Sequence, residues 1–271
     1  MATRLLWILF LAGATILLAA SAPLTAQQAP YAGDGRTARG LDVTPAYEGW
    51  LPNADGTFTM LFGYMNRNFE EELDIPIGPD NNVDGADRGQ PTHFYPRRQH
   101  FLFTVVVPKD FGLDRKVIWT LTTRGKTNQA KGWLQQEWEI NKEVMMQNVG
   151  GGTDLENQPP TITGTGPQTI TLSNTVTLTA TAQDDARPKP RRVRDVEEGN
   201  SAAPQGLSIR WIHYRGPAGV TFSPGTIASG YEKPVTSTTT ASFKAPGVYV
   251  LRAVANDGAL TAFHDVTVTV K

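Results

Sequence analysis

The chain has 271 residues with 25 basic and 26 acidic side chains, a balance that leaves no global field to draw it toward nucleic acid or anionic lipid. It has no cysteine, which removes disulfide frameworks and thiolate chemistry. At this length two modules of ordinary size can each bury an apolar core, so neither needs a metal or a crosslink in order to fold.

Arg4, an apolar run from Leu5 to Ala20 and the small-residue exit Ser21-Ala-Pro-Leu-Thr-Ala26 follow the order of a secretory signal peptide. The run is shorter than the roughly 20 residues of a membrane-spanning helix, and no basic cluster follows it. Residues 1–26 are therefore expected to be cleaved, leaving an exported chain without a transmembrane segment. The lack of cysteine and of any Asn-x-Ser/Thr sequon fits a bacterial periplasm, cell surface or extracellular space. Residues 27–40 are small, polar and glycine-rich, and read as a flexible leader.

Large apolar residues then alternate at Phe58, Met60, Phe62 and Tyr64, at Phe101, Phe103, Val105 and Val107, and at Val117, Trp119 and Leu121. Period-two spacing places such residues on one face of a strand. Asn-Ala-Asp-Gly before the first run, Pro-Lys-Asp-Phe-Gly after the second and Arg-Gly-Lys after the third supply turns. From Ile75 to Arg98 neither period is clear, and a loop that long in a compact domain is more often functional or disordered than idle. Trp133 to Met146 fits either a short strand or a short helix. Residues 150–160, Gly-Gly-Gly-Thr-Asp-Leu-Glu-Asn-Gln-Pro-Pro, continue neither element and read as a linker between domains at 41–149 and 161–271.

Beyond it Val176, Leu178, Ala180 and Ala182 alternate with threonines, followed by Leu207, Ile209 and Trp211, then Val220 and Phe222, then a threonine-rich edge from Thr236 to Phe243. Tyr249, Leu251, Ala253 and Ala255 run into Asn256-Asp-Gly258, and the chain returns through Val266, Val268 and Val270: a hairpin. The charged stretch from Arg187 to Arg194, followed by Asp195, Glu197 and Glu198, lacks apolar periodicity and reads as a solvated loop. Turn spacing and alternation predict about seven strands in the second half and an all-β protein of two tandem β-sandwich-like domains, the C-terminal one immunoglobulin-like.

Asn157-Gln-Pro-Pro-Thr-Ile162, Val176-Thr-Leu-Thr-Ala-Thr-Ala-Gln-Asp-Asp185, a strand bearing Trp211, Ala245-Pro-Gly-Val-Tyr-Val-Leu-Arg-Ala-Val-Ala-Asn-Asp-Gly258 and a closing Val-Thr-Val-Thr-Val come in that order. Residues 157–271 thereby resemble the polycystic-kidney-disease (PKD) and cadherin-like branch of immunoglobulin-like domains. The insertion from Arg187 to Gln205 departs from that pattern. The resemblance implies a spacer, an adhesion unit or a protein or glycan contact on an exported protein. Tyr47-Glu-Gly-Trp50, Asp55 to Asn68 and Gly89 to Arg98 are similar to uncharacterised exported bacterial proteins, from which no activity carries over.

Three places hold the chemistry. His93, Phe94, Tyr95, Arg97 and Arg98, with His100 beyond, combine aromatic faces and guanidinium forks of the kind that grip a glycan or protein of the envelope or extracellular matrix; Phe94 and Tyr95 can equally plug the end of a sandwich. Asp80, Asn82 and Asp84, before Gly85, match the opening of a calcium loop, but Pro91 stands where a bidentate glutamate belongs, and an ordinary turn explains them equally well. Asp184, Asp185 and Asp257 form a second oxygen-rich group of the kind some relatives carry. No cofactor other than calcium is expected. The span from Gln27 to Leu172 contains no serine, so that half offers no Ser or Cys nucleophile. Glu70, Glu71, Glu72 and Asp74 are the carboxylates a glycosidase reading would need, though neighbouring glutamates point different ways and suit a solvated edge. The histidines at 93, 100, 213 and 264 are too scattered to mark a metal site. A non-enzymatic binding or structural protein is the expectation, with a carbohydrate-active enzyme or its accessory binding module as the alternative.

Overall fold

A computed structural model describes residues 36–152, 154–189 and 206–271. The signal peptide expected at 1–26, most of the leader at 27–40 and the acidic half of the charged insertion lie outside the described residues.

The first module takes its strands from the alternating runs. In chain order they are β1 (Val43–Pro52), β2 (Phe58–Asn66), β3 (Leu73–Asp74), β4 (Asn81–Val83), β5 (His93–Phe94), β6 (Arg97–Val107), β7 (Val117–Thr123) and β8 (Lys126–Gly132). β1-β2-β6 and β4-β7-β8 form two antiparallel sheets, and β3-β5 is a short third one. Trp119 of β7 reaches between the larger sheets, edge-on to Phe103 at 4.8 Å and to Phe62 at 6.4 Å, while Phe62 stacks on Phe103 at 5.3 Å. Such contacts add to the burial of three large rings.

Two strands that alternation does not announce, β4 and β5, lie inside the segment expected to be loop. They form because Asn81, fully buried, donates through Nδ2 to the carbonyls of Ile75 (2.9 Å) and Pro91 (2.8 Å) and accepts from Trp119 Nε1 at 3.1 Å. One amide thus ties both ends of the segment to the core. Between Trp133 and Met146 the chain chooses helix: a 3-10 turn at Gln136–Trp138, then α1 (Lys142–Asn148), whose N-cap Asn141 accepts from Val144 N at 2.9 Å.

The second module contains β9 (Thr161–Gly164), β10 (Gln168–Ile170), β11 (Val176–Gln183), β12 (Leu207–Arg215), β13 (Thr221–Ser223), β14 (Ala228–Gly230), β15 (Val235–Ser242), β16 (Gly247–Asn256) and β17 (Thr261–Val270). They divide into a four-stranded sheet, β13-β15-β11-β9, and a five-stranded one, β10-β17-β16-β12-β14. β9 pairs with β11 in one sheet, and β10 crosses to run parallel to β17 in the other. This is an immunoglobulin-like sandwich. Leu178, Ile209, Tyr249, Leu251, Val266 and Val268 fill its core.

One expectation is corrected here: the threonine-rich run is not an edge, because β15 lies between β13 and β11. Its threonines form a ladder on the outer face, with Oγ1 pairs Thr181–Thr236 at 3.0 Å and Thr179–Thr238 at 3.2 Å, while Val235 and Ala241 point inward. Cross-strand hydroxyl pairs of this kind make a polar strand a good interior partner.

The connection at 150–160 is packed against the second module. A Cβ on Gly151 would fall 2.4 Å from Ala259 Cα, Met146 packs with Ala259 and Leu260, and Lys142 Nζ donates to the carbonyls of Leu155 and Asn157 at 2.8 and 2.6 Å. Tyr214 of β12 belongs to the first module's core, with Val250 packed beside it. Residues 36–271 accordingly form one compact unit.

Candidate functional site

The segment that sequence marked for contact lies along the seam between the modules. β5 packs on β12, Thr92 N donates to Tyr214 O at 3.1 Å, and Gly216 N donates to Thr92 Oγ1 at 3.0 Å. Phe94 is fully buried, edge-on to Tyr64 at 4.9 Å. The Tyr95 hydroxyl oxygen accepts a hydrogen bond from His213 N at 2.9 Å, and Tyr95 N donates to Tyr64 Oη at 2.9 Å. Phe94 and Tyr95 thus plug the end of their sandwich, and the surface that Tyr95 grips belongs to the same chain. Arg97 remains half exposed over the Phe69 ring at 3.9 Å.

Arg98 and His100 meet Glu48. The register of β1 shifts between Tyr47 and Gly49, and that of β6 shifts opposite Gly63; bulges re-aim side chains, and these two aim Glu48, Arg98 and His100 at one another. Arg98 Nη2 donates to Glu48 Oε1 at 2.7 Å and Nη1 to Tyr64 O at 3.1 Å, while His100 Nδ1 lies 3.3 Å from Glu48 Oε2. The Glu48 side chain is only 4 % exposed, so Arg98 supplies the positive charge its burial requires, and His100 sits against its other oxygen.

His93 is held by the acidic cluster. Its Nδ1 lies 2.8 Å from Asp74 Oδ1 and its Nε2 3.1 Å from Glu72 Oε2, and its ring stacks on that of His213 at 4.8 Å. Burial opposes a charge on His93, yet the hydrogen bonds to Asp74 and Glu72 outweigh it and raise its pKa to about 9. Burial, with the charged His93 beside it, lowers that of His213 to about 4. The glutamates do point different ways: Glu71 turns to Arg124 at 2.6 Å.

Of the residues proposed to open a calcium loop, Asn82 is engaged within the loop and Asp84 holds the loop to β7. Asn82 Nδ2 donates to Pro79 O at 3.0 Å, Asn82 Oδ1 accepts from Gly85 N at 2.9 Å, and Asp84 Oδ1 accepts from Ile118 N at 2.9 Å; Asp80 is exposed. The second oxygen group is drawn together at the joint. Asp257 Oδ1 accepts from Ala259 N and Leu260 N, both at 2.7 Å, and its Oδ2 accepts from Asn157 Nδ2 at 3.1 Å. Asn157 Oδ1 and Asp184 Oδ1 are buried with no hydrogen-bond partner among the described residues. Burial, then the charges of Asp257 and Asp185, push Asp184 up to about 6. Unpaired buried oxygens beside carboxylates whose charges oppose one another are groups that a hard cation with six to eight oxygen ligands would satisfy.

Sequence reasoning missed the seam's other face. Arg252 of β16 is buried, clamped bidentately by Asp265 (2.7 and 2.8 Å), lies 3.5 Å from the Tyr214 ring centroid and 4.5 Å from that of Phe263, and donates to Leu102 O at 2.6 Å. Above it opens a cleft of about 340 Å³ to which both modules contribute, with Arg88 and Phe101 on one side and Tyr214, Arg215 and Phe263 on the other. Arg252 looks from sequence like any outward residue of an alternating strand; only the neighbouring module makes it interior.

No protein-family model matches the chain, and no curated protein is similar to it. Solved structures similar to it include the eight N-terminal immunoglobulin domains of Down Syndrome Cell Adhesion Molecule, at 11% identity and a TM-score of 0.26, covering 84% of this chain and 27% of that one. The chain thus spans about a quarter of that molecule's length. A protein of unknown function from Porphyromonas gingivalis W83 aligns at 9% identity and a TM-score of 0.25, over 84% and 98% of the two chains. Fibronectin(III)-like modules of Clostridium thermocellum CbhA do so at 11% and 0.22, over 85% and 94%. Identities this low speak to fold alone, and superpositions this loose add nothing to the sheet topology.

Proposed function

We propose that this is an exported, non-enzymatic binding or structural protein of the bacterial envelope or surface, and that it holds a protein or glycan partner in the cleft at the seam. The observation that carries the reading is the composition of the cleft: Phe101, Phe263 and Tyr214 offer ring faces, Arg88 and Arg215 offer guanidinium donors, and two modules wall it. Aromatic and arginine side chains are what recognition surfaces concentrate. The carbohydrate-active alternative requires two carboxyl groups across a cleft. Among the described residues Asp265 is the one carboxylate lining this cleft, and both of its oxygens face Arg252.

A glycan array and a pull-down from envelope extract, each run with the wild-type chain and with F101A and F263A, test the reading. Binding lost in both variants supports it; binding retained in both removes the cleft. Sugar release from a bound glycan would replace it with the enzyme. The PKD and cadherin-like resemblance agrees with this role, and the buried orphan oxygens of Asn157 and Asp184 add calcium at the joint. Calorimetry on chelator-stripped protein should show calcium heat that D184N abolishes; absence of heat in the wild type would end the calcium reading.

A further inference from the structure

One ligand atom from each of Asp74, His93 and His213 falls within 4.8 Å of the other two. Asp74 comes from β3 and His93 from β5, both in the first module; His213 comes from β12 in the second. His93 can donate from both ring nitrogens, to Asp74 and to Glu72, only as imidazolium. A single imidazolium then answers two carboxylates. His213 is 3 % exposed and stacked on His93, and its Nε2 has no hydrogen-bond partner among the described residues. A buried ring nitrogen left unpaired is costly, and native folds rarely carry one without a reason.

The geometry points to a divalent transition-metal site of the zinc type, formed by His93, His213 and Asp74 with Glu72 beside them, that staples the two modules together. Two neutral imidazoles and one or two carboxylates are a zinc donor set, whereas calcium takes oxygen alone. Donors of a tetrahedral zinc stand roughly 3.3 Å apart, so the cluster tightens by about 1 Å or more when filled. Glu72 and Asp74 are partly exposed and give the ion a path from solvent. On binding, His93 releases its extra proton to water and presents a ring nitrogen; no electron changes hands. The site is independent of the seam cleft, since it uses none of the cleft's lining residues.

The test is calorimetric titration of zinc chloride into the chelator-stripped chain at neutral pH, with cobalt(II) as a spectroscopic stand-in. Expected are one ion per chain, release of about one proton per ion, intense visible cobalt absorption of a four-coordinate site, and a thermal midpoint that rises with zinc. H213A should weaken binding more than tenfold. Because His213 is buried and that variant can fail to fold, D74N at a partly exposed position provides the second arm, with the same expected loss. Absence of zinc binding in the wild type, or full-affinity binding in D74N, overturns the site. So does a weak, six-coordinate cobalt spectrum.

Discussion

At the scale of single residues the seam is governed by how buried charges find partners. His93 keeps its proton in the fold up to about 9, against 6.5 when free, so its stabilisation is complete below about 6.5 and is lost as pH rises toward about 9. His213 has the opposite sign: neutral in the fold down to about 4, it costs stability as pH falls from about 6.5 toward about 4. Urea midpoints of the chelator-stripped chain are therefore expected to peak near neutrality and to fall on both sides. H93Q should flatten the alkaline limb and make the acid limb shallower without removing it, since burial alone still lowers His213. Gly63 makes a steric prediction. A Cβ there would lie 2.2 Å from Gln99 O and 2.3 Å from Glu48 Oε1, inside the paired bulges, so Gly63→Ala should cost about 3 kcal/mol in equilibrium unfolding. A loss under 1 kcal/mol would mean that the bulges give way freely.

Among the elements, alternation is a good guide where a strand has one wet face and a poor one where a side chain ties it down. β7, β11 and the end of β17 bury every second residue, whereas β2, β6 and β12 also bury runs of neighbours where the other module or a bulge covers them. β4 and β5 have no run of either kind, because Asn81 and the short pairing with β3 hold them rather than a row of apolar side chains. Replacing Asn81 by Ala strands the carbonyls of Ile75 and Pro91 and Trp119 Nε1, an expected loss of about 2 to 3 kcal/mol. Trp119→Ala removes the ring shared by both sheets and should cost about 3 to 5 kcal/mol. A larger effect from N81A than from W119A would invert this account of what holds the first module.

For the molecule as a whole, the consequence of the seam is cooperativity. Tyr214 sits in the core of the other module, Arg252 donates across to Leu102, and the connecting segment packs onto the β16–β17 turn. Modules joined this way should unfold together, with tryptophan fluorescence and far-ultraviolet circular dichroism giving one coincident denaturant transition. R252M, which fills similar volume but strands the Leu102 carbonyl and the Asp265 carboxylate, should lower stability by about 2 kcal/mol and separate the two signals. Coincident transitions in R252M at unchanged midpoint would show that the seam contributes nothing.

The sequence by itself determined the all-β class, the sandwich of the second half and the hairpin at Asn256-Asp-Gly258, because each depends on short-range periodicity and turn chemistry. It also drew attention to the stretch His93 to Arg98 of the first module, but as an outward surface. Tertiary structure alone decided that this stretch faces its own partner module, that two histidines far apart in the chain stack, and that Arg252 turns inward. Those facts depend on which face of one module meets the other, and a period of two fixes which residues share a face without fixing what covers it.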